Sequence, residues 1–314
     1  MNIQETVCLL QQQDDILILT HARPDGDTLG CAAALCASLR KAGKTAFALS
    51  NSGTTETYLE YIQPYYAPAG FAPRFVVSVD IAALQLLPAE ALPYRDRIDL
   101  AIDHHPSQEF FARETCLNDS RAACGEILYE ICRALSPIDE TVALPLYVAI
   151  STDTGCFVYS NTTPNTHRVA AELMEFGNFA PALNKKLFRT KTFRRIHLEG
   201  LMAEHMEFFD AGAIVFAPVT LEMIRQAEAT EADAEDLSAF TSQIAGAHVT
   251  ATLKETEDGC CKISLRTDAT LNATAVCRLL GGGGHAAASG ALYRGSMEQA
   301  KQALLAAIRQ VQHG

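Results

Sequence analysis

The chain has 314 residues, 48% of them hydrophobic and 20% charged. That length and apolar content point to two globular domains and exclude a disordered chain. A net charge of -12 excludes a general binder of long nucleic acid, which needs a broad basic face, but leaves room for a phosphate-handling enzyme whose cleft holds cations.

The N-terminus, Met1-Asn2-Ile3-Gln4-Glu5, has no basic segment followed by an apolar run, so no signal peptide is expected. No apolar stretch approaches the ~20 residues that span a bilayer, and a cytoplasmic protein with reduced cysteines is expected. The 10 cysteines show no C-x-x-C spacing, which argues against a structural zinc site or disulfide framework. Ile16–Leu19 reads as a buried strand and Leu29–Leu39 as an Ala- and Leu-rich helix. Thr45–Leu49, Phe75–Val79 and Ile98–Ile102 are further strands, Val142–Ile150 is a buried helix, and Asn165–Phe176 has the period of an amphipathic helix. The basic stretch Lys185, Lys186, Arg189, Lys191, Arg194 and Arg195 reads as a connection, either a solvated helix face or a substrate-facing one. Beyond it, Ala213–Val219 is a strand, and Ala247–Leu253 and Cys261–Arg266 are a strand pair joined near Asp258-Gly259. Ala273–Leu280 is a helix broken by Gly281–Gly284, and a last helix runs from Ser296 to Gln312. Strands alternating with helices predict an α/β fold with a mostly parallel sheet flanked by helices. The expected division is residues 1–180 as a first domain, 181–205 as a connector and 206–314 as a smaller second α/β domain. The active-site cleft is expected between the two.

Ligands of such sheets bind outside the carboxyl ends of the strands, and acidic residues gather there. His21-Ala22-Arg23-Pro24-Asp25-Gly26-Asp27 follows a strand and precedes a helix, bringing an imidazole and two carboxylates onto one loop. Carboxylates this close repel unless cations neutralise them; the alternative is a turn whose Asp27 caps the helix near Thr28. Asp80 ends the Phe75 strand and could bridge two ions, or simply cap a loop. Asp103-His104-His105 follows the Ile98 strand, so that one histidine can bind metal while Asp103 orients a ring. Asp153 stands where the Val148-Ala149-Ile150 segment opens into a turn. Four such elements on one sheet edge predict a pair of divalent cations. Oxygen and nitrogen donors suit Mn²⁺, Mg²⁺, Co²⁺ or Fe²⁺ rather than thiolate-bound zinc, and Mn²⁺ is the ion expected.

In order and context, His21-x-x-Pro24-Asp25-Gly26-Asp27, Asp80, Asp103-His104-His105 and Asp153 resemble the four motifs of the DHH phosphoesterases. Gly281-Gly282-Gly283-Gly284-His285, with Ile263–Arg266 and Asn272, resembles the DHH-associated C-terminal domain. The resemblance spans nearly the whole chain and is nearest to the nanoRNase and pAp phosphatase branch. It implies hydrolysis of very short RNA to mononucleotides and of 3′-phosphoadenosine 5′-phosphate to AMP. It implies that His21 and Asp25 hold one metal, Asp27 and His104 the other, that Asp80 bridges and that Asp153 completes the site. Asp103 and His105 become catalytic, His105 facing the scissile phosphate. Arg266, Asn272, Gly282, Gly283, Gly284 and His285 become substrate-binding. A Gly-rich loop lets backbone N–H groups approach phosphate; a helix C-cap is its other reading. Partners implied are short single-stranded RNA or DNA or small nucleotide phosphates, with no long duplex and no membrane; a homodimer is compatible. One departure is Ser289 where relatives carry a second alanine, which bears on substrate preference. Pyrophosphatases, RecJ-type exonucleases and membrane-bound cyclic dinucleotide phosphodiesterases share the metal motifs. A soluble enzyme for cyclic or linear dinucleotides (c-di-AMP, pApA, pGpG) is the alternative within the enzyme class. A catalytically inactive nucleotide-binding regulator is the alternative outside it, and no ligand is missing as it would require.

Overall fold

A computed structural model describes residues 1–268 and 270–313. The chain forms two compact units that divide between Thr190 and Lys191, inside the stretch expected as connector.

In the first unit, α1 (Ile3–Gln12) leads into β1 (Ile16–Leu19), α2 (Gly26–Lys41), β2 (Ala46–Ala48), α3 (Glu56–Ile62), β3 (Phe75–Val79), β4 (Leu100–Asp103) and β5 (Glu114–Leu117). Four helices follow: α4 (Cys124–Leu135), α5 (Glu140–Asp153), α6 (Pro164–Met174) and α7 (Ala180–Asn184). The five strands form one sheet in the order β2-β1-β3-β4-β5, every neighbouring pair parallel. Every residue of β1 and β3 is buried, as a parallel sheet covered on both faces requires. The order reverses between β1 and β3, so the chain leaves these adjacent strands on opposite sides and opens a crevice at their carboxyl ends. The loops bearing His21 to Asp27 and Asp80 start there.

Why helix ends also reach this crevice follows from packing. A Cβ on Gly30 of α2 would lie 2.3 Å from the Pro145 carbonyl oxygen of α5, so only glycine admits this approach. It sets the start of α2, with Asp27, near the end of α5, with Asp153. Thr28 Oγ1 donates to the Val79 carbonyl at 2.9 Å and pins the same helix start to the end of β3. Glu126 of α4, 1% exposed, accepts from Thr166 Oγ1 at 2.6 Å and Asn165 Nδ2 at 2.7 Å, tying α4 to the first turn of α6.

In the second unit come α8 (Phe193–Glu204), β6 (Glu207–Phe209), β7 (Ile214–Val219), α9 (Leu221–Gln226), α10 (Ser238–Thr241), β8 (Val249–Glu255) and β9 (Cys260–Thr267). They are followed by α11 (Ala273–Leu279), β10 (Gly283–Gly284), β11 (Ala288–Arg294) and α12 (Met297–His313). The sheet order is β10-β11-β9-β8-β7-β6, antiparallel except for β7 beside β8. Val249, Ala251 and Leu253 of β8 and Cys261, Ile263 and Leu265 of β9 alternate inward and share a core with Val276 and Cys277 of α11 and Leu304 and Ile308 of α12. Among the described residues, no helix is long and apolar enough to cross a membrane.

Candidate metal centre

Four segments of the first unit bring their acidic and imidazole groups together. His21 Nε2 lies 3.6 Å from Asp25 Oδ1 and 3.7 Å from Asp80 Oδ2. His104 Nε2 lies 3.4 Å from the other oxygen of Asp80, 3.6 Å from Asp153 Oδ2 and 3.9 Å from Asp27 Oδ2. His21, Asp25 and Asp80 thus form one group able to hold an ion, and Asp27, His104 and Asp153 a second. Asp80, His104 and His105 form a third that overlaps both.

Several of these candidate ligands are held from behind. Asp25 caps α2, its Oδ1 accepting from the Asp27 and Thr28 N–H groups at 3.0 and 3.2 Å. The helix-capping alternative read for Asp27 therefore belongs to Asp25. Asp27, 1% exposed, caps a different helix: it accepts from Cys124 N–H at 2.7 Å and Gly125 N–H at 3.0 Å, the first turn of α4. The Cys31 thiol adds a third donor at 3.2 Å. Asp80 follows β3 with φ of +59°, a left-handed conformation that Asp and Asn tolerate better than other side chains. His104 sets its Nδ1 3.1 Å from the Arg121 carbonyl, turning Nε2 toward the carboxylates. Asp103, fully buried, accepts from the His104 and His105 backbone N–H groups at 2.7 and 3.2 Å and faces His105 Nδ1 at 2.7 Å.

Three amides in this cage escape a search for metal ligands. Asn51 Nδ2 donates to Thr20 Oγ1 at 3.0 Å and the His21 carbonyl at 2.8 Å. Gln108 Nε2 donates to Asp103 Oδ2 at 2.7 Å and the Ile81 carbonyl at 2.9 Å. Asn161 Nδ2 donates to the carbonyls of Asp153 and Ala122, both at 3.0 Å. Asn51 and Gln108 lie just beyond the carboxyl ends of β2 and β4, a position that could have flagged them; Asn161 carries no such signal.

The electrostatics of the cluster call for cations. Asp80 Oδ1 is buried and, among the described residues, accepts no hydrogen bond. Burial, then repulsion from Asp27, Asp25, Asp153 and Asp103, drives the Asp80 carboxyl well above the usual range. Burial and then Asp25 push Asp27 to about 6, against the pull of His104. Burial and then Asp27 push Asp153 to about 7. Burial disfavours a charged His104, yet Asp27 and Asp153 outweigh it and hold the imidazole at about 9. An orphaned carboxylate oxygen between two groups of oxygen and nitrogen donors fits a divalent metal.

The substrate-binding residues expected from the resemblance lie in the second unit. Arg266 lines a cavity of about 200 Å³ with Lys254, Lys262, Ser264 and Ser238. Asn272 caps α11, its Oδ1 accepting from Ala275 N–H at 3.1 Å. Gly283 and Gly284 pair with Gly290 and Ser289. Backbone demands account for three of the four glycines: Gly281 and Gly284 have φ of +76° and +142°, and a Cβ on Gly282 would meet the Gly290 carbonyl oxygen at 2.1 Å. Ser289, the departure noted above, donates to the His285 carbonyl at 2.8 Å, so it braces the turn that carries this histidine.

Comparison with known proteins agrees with this arrangement. Residues 15–150 match the DHH family N-terminal domain and residues 214–314 the DHHA1 domain. The bifunctional oligoribonuclease and PAP phosphatase NrnA of Thermus thermophilus is 30% identical over 94% of this chain and 89% of its own length. Its namesake in Bacillus subtilis is 25% identical over 91% of this chain and 92% of its own. The crystal structure of an exopolyphosphatase-related protein from Bacteroides fragilis has the same fold, with a TM-score of 0.87 at 21% identity over 99% of this chain and 96% of its own. With its candidate ligand groups at the carboxyl edge of the parallel sheet and a matching relative along nearly its whole length, the chain belongs to the DHH family, a DHH domain followed by a DHHA1 domain.

Proposed function

We propose that this protein is a two-metal phosphoesterase that hydrolyses short single-stranded oligoribonucleotides to mononucleotides and 3′-phosphoadenosine 5′-phosphate to AMP. The observation that carries the reading is Asp80: one carboxylate turns its two oxygens toward two separate imidazoles, each with its own acidic partners. The Thermus thermophilus and Bacillus subtilis relatives, named as oligoribonucleases and PAP phosphatases, supply the substrate class. His21 and Asp25 would hold one ion and Asp27, His104 and Asp153 the other, with Asp80 within reach of both; the oxygen and nitrogen donors suit Mn²⁺, Mg²⁺, Co²⁺ or Fe²⁺, of which we take Mn²⁺. When bound, such a pair lowers the pKa of a water and neutralises charge on the phosphate. His105, oriented by Asp103, serves the leaving oxygen as donor. Such substrates arise in the cytoplasm, where we place the enzyme. With a net charge of -12, single strands of a few nucleotides suit it better than duplex.

The test is product analysis with Mn²⁺ against pAp, single strands of two to 24 nucleotides, pyrophosphate and cyclic dinucleotides. Mononucleotides and AMP are the expected products, with kcat/KM highest for two to four nucleotides and falling steeply beyond about ten. Activity confined to pyrophosphate or to cyclic dinucleotides would overturn the assignment.

We assign Arg266, Asn272, Gly282, Gly283, Gly284 and His285 to substrate capture, on the strength of the family resemblance. Arg266→Ala should then lower kcat/KM on a dinucleotide while both metals stay bound. Losing a charge-assisted phosphate contact costs on the order of 2–5 kcal/mol when the site is desolvated. The Arg266 side chain is 36% exposed, so the low end applies, about 30-fold. Unchanged kcat/KM would show that Arg266 does not face substrate.

A further inference from the structure

Gln108 lies in the loop that follows His105 and is 6% exposed. A buried amide must find partners for both ends, and this one finds three in different segments. Its NH₂ group donates to Asp103 Oδ2 at 2.7 Å and to the Ile81 carbonyl at 2.9 Å, while its oxygen accepts from Phe110 N–H at 3.1 Å. Ile81 directly follows Asp80, whose left-handed backbone needs surrounding structure to persist. Asp103 in turn faces His105 Nδ1 through its other oxygen. A carboxylate oxygen accepts here, so the proton of this bond sits on His105 Nδ1 and orients the ring; to act as donor, Nε2 must carry a second proton. Without the Gln108 N–H, Asp103 Oδ2 would lose this donor, and the carboxylate would be held through Oδ1 alone, by the His104 and His105 N–H groups and the His105 ring.

We infer that Gln108 is a positioning residue for the phosphoesterase reaction, locking the Asp103–His105 pair to the turn that carries Asp80. The inference rests on the hydrolytic function proposed above. It differs from a packing role in what it demands of the side chain. Packing needs volume, which glutamate and leucine both supply. Positioning needs a hydrogen-bond donor toward Asp103, which leucine cannot supply; glutamate supplies one only as the protonated acid, and ionised it sets a second carboxylate beside the first.

The experiment compares wild type, Gln108→Leu and Gln108→Glu in the Mn²⁺-loaded enzyme on a dinucleotide, with thermal melting and Mn²⁺ titration on the same preparations. Loss of an outer hydrogen-bond partner typically costs 10–100-fold, so kcat should fall by about that factor in Gln108→Leu, and in Gln108→Glu when its carboxyl is ionised. KM should change by less than about threefold, and both variants should still titrate two ions. In proton NMR of the protein loaded with diamagnetic Mg²⁺ in place of Mn²⁺, the downfield resonance of the His105 Nδ1 proton bonded to Asp103 should shift or vanish in both. If the leucine variant does not fold, Gln108→Met, unbranched and without a donor, serves instead. A leucine or methionine variant that keeps more than half of wild-type kcat overturns the inference. Failure of wild type itself to cut the dinucleotide would instead refute the proposed function.

Discussion

Asp80→Asn should abolish turnover while making the metal-free protein harder to melt. Asparagine tolerates the left-handed backbone at this position, so the variant removes charge with little strain, whereas alanine would add it. In the loaded enzyme the loss should be on the order of 10³ in kcat, since metal ions supply several kcal/mol of charge stabilisation and each tenfold is about 1.4 kcal/mol. Without metal the sign reverses. Asp80 is 4% exposed and Oδ1 accepts no hydrogen bond, so folding either protonates the carboxyl or strands a charge. Relief of a buried unsatisfied group is worth about 1–3 kcal/mol, or several degrees in Tm. Melting in chelator and in Mn²⁺, with elemental analysis, reads both halves. A variant that keeps two tightly bound ions and near-normal kcat would remove Asp80 from the site.

Affinity for metal should climb on the order of 10³-fold between pH 6 and pH 8. His104 at about 9, Asp153 at about 7 and Asp27 at about 6 are all raised in the metal-free fold. Ligands bind metal deprotonated, so each proton displaced contributes tenfold per pH unit below its pKa. His104 contributes across the whole interval and Asp153 across its lower half. Stability of the metal-free protein runs the other way. The folded state holds protons the unfolded chain has released, for the carboxyls from about pH 4 to 7 and for His104 from about 6.5 to 9. Its Tm should therefore fall as pH rises through that window, while the Mn²⁺-loaded form shows no such decline. Calorimetric titration in buffers of different ionisation heat would detect the released protons. Affinity independent of pH, with no proton release, would show that the carboxylates and His104 are not the ligands.

What the sequence reveals of this molecule depends on where its hydrogen bonds close. The strands Ile16–Leu19 and Phe75–Val79 are read to the residue, because a parallel strand covered on both faces is an unbroken apolar run. By contrast β5 escapes: Glu114–Leu117 is an edge strand with only Cys116 buried, and its partner is fixed by topology. Despite its apolar stripe α4 is missed as well, because Ala123 offers no capping side chain. The group that bonds its first turn is Asp27, 97 residues earlier. The same division holds in the site. Its carboxylates and histidines announce themselves by chemistry. Asn51, Gln108 and Asn161 matter only through contacts that exist once the loops have converged, and the glycine run owes most of its composition to turns and close packing.

The double duty of Asp27, which caps α4 and which we propose also holds metal, bears on how loss of function would be recorded in this lineage. A ligand that served only metal could drift once catalysis was no longer selected. Asp27 cannot drift in that way, because its carboxylate also satisfies the buried N–H groups that open α4. Removing it would leave those donors unpaired, at about 1–3 kcal/mol each, against a total stability of only 5–15 kcal/mol. A descendant that had abandoned hydrolysis would therefore keep Asp27 and shed Asp153 or His104. Retention of this aspartate in a divergent sequence testifies to the fold, and the state of the other two ligands tells whether the enzyme still works.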